Sequence, residues 1–69
     1  MPKPKKILTT TMVWLQNGDK IIDIGEFPRS LYQGVVKAAI ALGDDRMEIQ
    51  LEEGGHFVRP ETQRVKVLR

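Results

Sequence analysis

PRSLYQGVVKAAIALG, residues 28–43, is the stretch on which the reading of this chain turns. Pro28 presets the backbone for a first helical turn, and Ser30 with Gln33 has the S-x-x-Q spacing of a capping box. The periodicity therefore predicts a helix that starts between residues 28 and 31. Leu31, Val35, Ala38 and Leu42 recur at helical spacing, Tyr32, Val36, Ala39 and Ile40 widen that stripe, and Arg29, Gln33 and Lys37 take the wet side. Gly43 supplies the left-handed residue that ends such a helix. Gly34 inside it costs about 1 kcal/mol relative to alanine, which close packing against a sheet explains.

The flanking segments read as strands. Residues 7–15 are β-branched and apolar on both faces, which predicts a central strand, with Trp14 in the core. Asn17-Gly18 is a strong hairpin signal leading into a second strand over residues 20–27, where Ile22 and Ile24 share a face and Phe27 packs inward. Beyond the turn at Asp44-Asp45, Met47, Ile49 and Leu51 alternate with Arg46, Glu48, Gln50 and Glu52, as in a strand with one buried face. Glu53-Gly54-Gly55 connects to a short strand over residues 56–59 stopped by Pro60, and residues 63–69 form the last strand, with Val65 and Val67 inward.

The order β-β-α-β-β-β predicts an α+β domain, a single mixed sheet with one helix packed on one face. Residues 7–69 form this domain and residues 1–6 a basic flexible leader. The element order resembles the β-grasp arrangement of ubiquitin-like and immunoglobulin-binding domains, which implies that the first and last strands lie parallel in the middle of the sheet. Ubiquitin-like modifiers end in a flexible diglycine, whereas this chain ends VKVLR and its Gly54-Gly55 is internal, so conjugation is not expected. The alternative architecture is an SH3-like barrel with the helix inserted between its hairpins, because RMEIQLEEGGHFVRP followed by RVKVLR also reads as a meander.

Composition narrows the function. Cysteine is absent, which excludes disulfides, a thiolate nucleophile and Cys-type zinc sites. No run approaches the roughly 18 apolar residues of a membrane span, and no signal core follows MPKPKK, so a cytoplasmic protein without a membrane partner is expected. His56 is the only histidine and lacks the spacing of a metal site, the acidic pairs Asp44-Asp45 and Glu52-Glu53 read as turn residues, and no phosphate-binding glycine motif is present. No cofactor, metal or catalytic residue is assigned, and an enzyme is not expected.

Charge is the remaining signal. The net +2 conceals a segregation: Lys3, Lys5, Lys6, Arg64, Lys66 and Arg69 lie at the ends, while residues 7–63 hold five cations against all nine acids. With the terminal strands parallel, Lys3, Lys5 and Lys6 would emerge beside Arg64 and Lys66. The expected function is accordingly a small regulatory or accessory protein that contacts DNA or RNA backbone, or a nucleoprotein complex, through Lys3, Lys5, Lys6, Arg64, Lys66 and Arg69. The alternative is a protein–protein module, an inhibitor, adaptor or homodimer, that pairs through a sheet edge such as the strand ending at Pro60.

Overall fold

The computed structural model describes residues 6–69. Six strands follow one another: β1 (Ile7–Thr11), β2 (Lys20–Asp23), β3 (Gly34–Gly43), β4 (Arg46–Leu51), β5 (His56–Pro60) and β6 (Arg64–Leu68), with single 3-10 turns at Met12–Trp14 and Arg29–Leu31. They form one sheet in the order β1-β6-β2-β3-β4-β5, and every pairing is antiparallel. No α-helix occurs among the described residues.

This overturns the α+β, β-grasp-like expectation, and the inserted helix of the SH3-like alternative is absent too. The segment read as a helix is mostly strand β3, paired at Gly34 and Val35 with β2 and from Val36 onward with β4. Helix propensity differs by only tenths of a kcal/mol among alanine, leucine and valine, so two flanking strands override it. The helical spacing itself has a structural cause. A bulge between Val36 and Ala38 puts Val36 and Ala39 on one face although they are three residues apart, a separation that imitates a helix. Of the stripe expected to be buried, Leu31 and Leu42 are exposed and Val35 and Ala38 only half-buried; Val36 is the core residue.

Gly34 is nonetheless a site of close approach. Its φ of +152° favours glycine, and a Cβ there would stand 3.2 Å from Leu51 Cδ1. Gln33, expected in the capping box, serves elsewhere: its side-chain amide donates to the Ile22 carbonyl at 3.0 Å, tying this segment to β2.

β1 and β6 are antiparallel neighbours, Ile7 opposite Leu68 and Thr11 opposite Arg64, and β1 lies at the sheet edge rather than its centre. Asn17-Gly18 makes the expected turn, with Asp19 N–H donating to the Gln16 carbonyl at 3.1 Å, but the strands on either side of it do not pair with each other. The downstream expectations match better. Met47, Ile49 and Leu51 are buried, β4 and β5 form a hairpin closed by a 2.8 Å bond from Leu51 N–H to the Gly55 carbonyl, and Val65 and Val67 point inward. Asp44 and Asp45 both take positive φ, as a tight hairpin turn requires.

One core joins the two halves of the sheet. Met12, Ile21, Val65 and Val67 from one half meet Val36, Ile49, Leu51 and Phe57 from the other, so the sheet rolls over its own inner face about β3. Met12, fully buried, plugs this roll from the first 3-10 turn, which rests on β3 and β4. A second bulge, between Ile21 and Asp23, brings Ile21 rather than Ile22 inward alongside Ile24. The expected burial of Trp14 and Phe27 is overturned, since they are 71% and 78% exposed; Phe57 is buried and Tyr32 packs on the core.

Candidate nucleic-acid interface

Antiparallel pairing decides which cations can act together. Residues directly opposite each other in such a ladder point to the same side of the sheet. Val65, Val67 and Ile21 face the core, so Arg64 and Lys66 on β6 and Lys20 on β2 project from the outer face, and all three are exposed. Lys20 stands opposite Leu68 and Asp23 opposite Lys66, with Thr9 of β1 on the other side of Lys66. None of these three cations is in an ion pair among the described residues.

A shallow cleft of about 400 Å³ opens on this face, lined by Thr9, Asp23, Gly25, Arg64, Val65 and Lys66. Asp23 is the acid beside it, and its charge is engaged locally: one carboxylate oxygen accepts the Gly25 N–H at 2.7 Å, and the other lies 3.6 Å from the Arg29 guanidinium. The cleft presents Arg64 and Lys66, neither in an ion pair among the described residues, with the Thr9 side chain and the Asp23 carboxylate beside them. It suits a phosphate oxygen and has no aromatic wall for a base to stack on.

The six cations expected to act as one group divide. Lys3 and Lys5 lie outside the described residues. Lys6 is exposed and exchanges backbone hydrogen bonds with Arg69, 2.8 Å each way, which puts it at the opposite end of the β1–β6 ladder from Arg64. Lys6 therefore does not stand beside Arg64 and Lys66 as parallel strands would have placed it. Arg69 is committed to an ion pair, in which Nε and Nη2 donate to Asp19 Oδ1 at 3.0 Å and Oδ2 at 2.8 Å. Burial alone would push the Asp19 carboxyl up, but Arg69 and the Gln16 N–H, 2.9 Å from Oδ2, outweigh it and hold the group below its ordinary value. Lys20 is the cation that sequence reasoning missed. It lies in the acidic middle of the sequence, and only the β2–β6 pairing brings it to this face.

A second polar network shapes the molecule without offering a charge. Arg59 clamps Glu26 through Nε at 2.6 Å and Nη2 at 3.0 Å, donates to the Tyr32 hydroxyl at 3.0 Å and lies over the Tyr32 ring. Gln63 adds bonds to Glu26 and to the Ile24 carbonyl, so residues 24–32 are fastened to β5 and to the turn before β6. The Arg59 bonds, then those from Gln63, hold the Glu26 carboxylate below its usual range, and Glu26 in turn raises the Arg59 guanidinium.

His56 is exposed at the start of β5, beside a cleft of about 310 Å³ that it shares with Lys37, Glu48 and Gln50. There the Gln50 amide donates to Glu48 at 2.7 Å, and no group of three metal-ligating side chains occurs among the described residues. No helix among the described residues is long and apolar enough to cross a membrane. Comparison with known proteins returns no match: no family model, curated protein or solved structure aligns significantly with this chain.

Proposed function

We propose that the protein is a small, non-enzymatic accessory domain that holds nucleic-acid backbone against the outer face of β2 and β6. The observation that carries this reading is the placement of Lys20, Arg64 and Lys66 on one face of adjacent strands, exposed and outside any ion pair among the described residues. Lys6 lies at the other end of the β1–β6 ladder from Arg64, Arg69 is paired with Asp19, and no base-reading role is assigned. The reading puts the protein in the cytoplasm.

A few phosphate contacts of this kind give non-specific affinity of about 10⁻⁴ to 10⁻⁶ M. Fluorescence anisotropy with labelled DNA and RNA at low salt tests it. Wild-type protein binds in that range, Lys20→Gln, Arg64→Gln and Lys66→Gln combined abolish binding, and Lys37→Gln with Arg46→Gln leaves it unchanged. Absence of binding by wild type, or equal binding by the triple variant, overturns the reading. The second reading is a protein partner, favoured by the exposure of Trp14, Phe27 and Leu31.

A further inference from the structure

β1 ends the sheet, and no described strand pairs with its other side. Edge strands of soluble proteins are ordinarily blunted by charge, proline or a bulge. The opposite edge, β5, carries His56, Arg59 and Pro60; β1 reads ILTTT, five residues without charge or proline, in an unbroken register with β6. Ile7 is 65% and Leu8 37% exposed on it. An open edge of this kind is a template for another strand.

The hydrogen-bond alternation says which strand fits. Lys6 exchanges both of its backbone bonds with Arg69, and Met12 N–H donates to the Gln63 carbonyl, so both aim at β6. In an antiparallel ladder alternate residues do the same, which gives Leu8 and Thr10 to β6 and turns the N–H and C=O groups of Ile7, Thr9 and Thr11 to the open side. Those three positions are symmetric about Thr9. We propose that two copies of the chain pair antiparallel through β1, across a two-fold axis at Thr9.

In that register Thr9 meets Thr9 of the second copy, and Ile7 meets Thr11 in both directions. Each of these three pairs exchanges two backbone bonds, so every outward N–H and C=O of β1 is satisfied. Leu8 faces Thr10, Lys6 faces Met12, and no like charges oppose each other. A register moved by two residues one way leaves Thr11 without a partner among the described residues, moved by two the other way it sets Ile7 against Val13 in the 3-10 turn, and one moved by a single residue turns half of the groups away from each other. One five-residue strand pair buries less than the roughly 1,200 Å² of a permanent interface, so the dimer is reversible.

Strand pairing across such an axis keeps the outer faces on the same side. Lys20, Arg64 and Lys66 of both copies then line one continuous surface. That consequence rests on the phosphate-binding reading; the dimer does not.

Sedimentation equilibrium of the full chain without nucleic acid, from about 1 μM to 1 mM, tests the proposal. The expected mass rises from one chain to two and stops there. Thr9→Lys places two cations face to face at the axis and Thr9→Pro removes an outward N–H; each weakens association at least tenfold, while Thr62→Lys, a charge-matched change in an exposed turn, does not. Amide exchange gives an independent reading. Leu8 and Thr10 are protected at every concentration, and Ile7, Thr9 and Thr11 only where the dimer forms. A strict monomer throughout, a dimer indifferent to both Thr9 variants, or protection gained at β5 instead overturns the proposal. Because no nucleic acid is present, none of these outcomes bears on phosphate binding, and the anisotropy experiment does not depend on them.

Discussion

Arg69 grips Asp19 with two parallel hydrogen bonds of 3.0 and 2.8 Å, and the carboxylate they hold is almost wholly buried, its side chain only 4% exposed. The pair joins the ladder of β1 and β6 to the turn that begins β2. It also pairs with an acid a cation that sequence order assigns to the basic ends. The clamp takes two of the five N–H donors of the guanidinium and sets its charge against that of Asp19.

Removing Arg69 leaves a carboxylate stranded in the interior. Breaking a fully buried pair costs about 3 to 5 kcal/mol, and the guanidinium here is a third exposed, so Arg69→Ala is expected to lose about 2 kcal/mol in urea unfolding at pH 7. An unchanged midpoint would show that the clamp does not hold in solution.

The same pair sets an acid limit. Asp19 and Glu26 both have folded-state values below the ordinary one, so the unfolded chain binds their protons more readily. Their contribution is complete above the unfolded value of about pH 4 and is lost as pH falls through the depressed folded values. Urea midpoints of wild type should be level from pH 7 to 5 and drop below pH 4. Asp19→Asn should be less stable at pH 7 and show a shallower drop.

Gly34→Ala discriminates between strand and helix by sign. In a helix interior alanine would be stabilising by about 1 kcal/mol. At φ +152° with Leu51 Cδ1 3.2 Å from the new Cβ, the substitution should instead destabilise by about 1 kcal/mol or more. Thermal unfolding of the two proteins reads the sign directly.

Trp14 reports the same fold optically. At 71% exposure its emission should resemble that of a water-exposed indole and be quenched by iodide in the native state nearly as well as in urea. Trp14→Ala should change stability by less than about 0.5 kcal/mol, the range for surface sites. A blue-shifted, protected indole would return Trp14 to the core.

What could be read in the sequence tracks where the ladder is regular. β4 and β6 alternate without interruption, and their buried residues, Met47, Ile49, Leu51, Val65 and Val67, follow from the period of two. β2 and β3 each contain bulges, and there the period misleads: Ile21 replaces Ile22, and Val36 with Ala39 mimics a helix face. Strand pairing was the other missing quantity. Nothing local in Asn17-Gly18 tells that the two strands around it will both pair with β6, and that choice puts Lys20, opposite Leu68, on the same face as Arg64 and Lys66, while Lys6 stands opposite Arg69. Arg69 and Asp19 are fifty positions apart. Their clamp is a product of the fold, with no signature in spacing.

The salt dependence of nucleic-acid binding tests the central claim most directly. Three phosphate contacts release counterions such that log K against log salt falls with a slope of about −2 on single strands and −3 on duplex, per chain. The account predicts that slope for wild type and its loss in the Lys20, Arg64 and Lys66 triple variant. Binding that ignores salt, or a slope unchanged by removing these three cations, would contradict it.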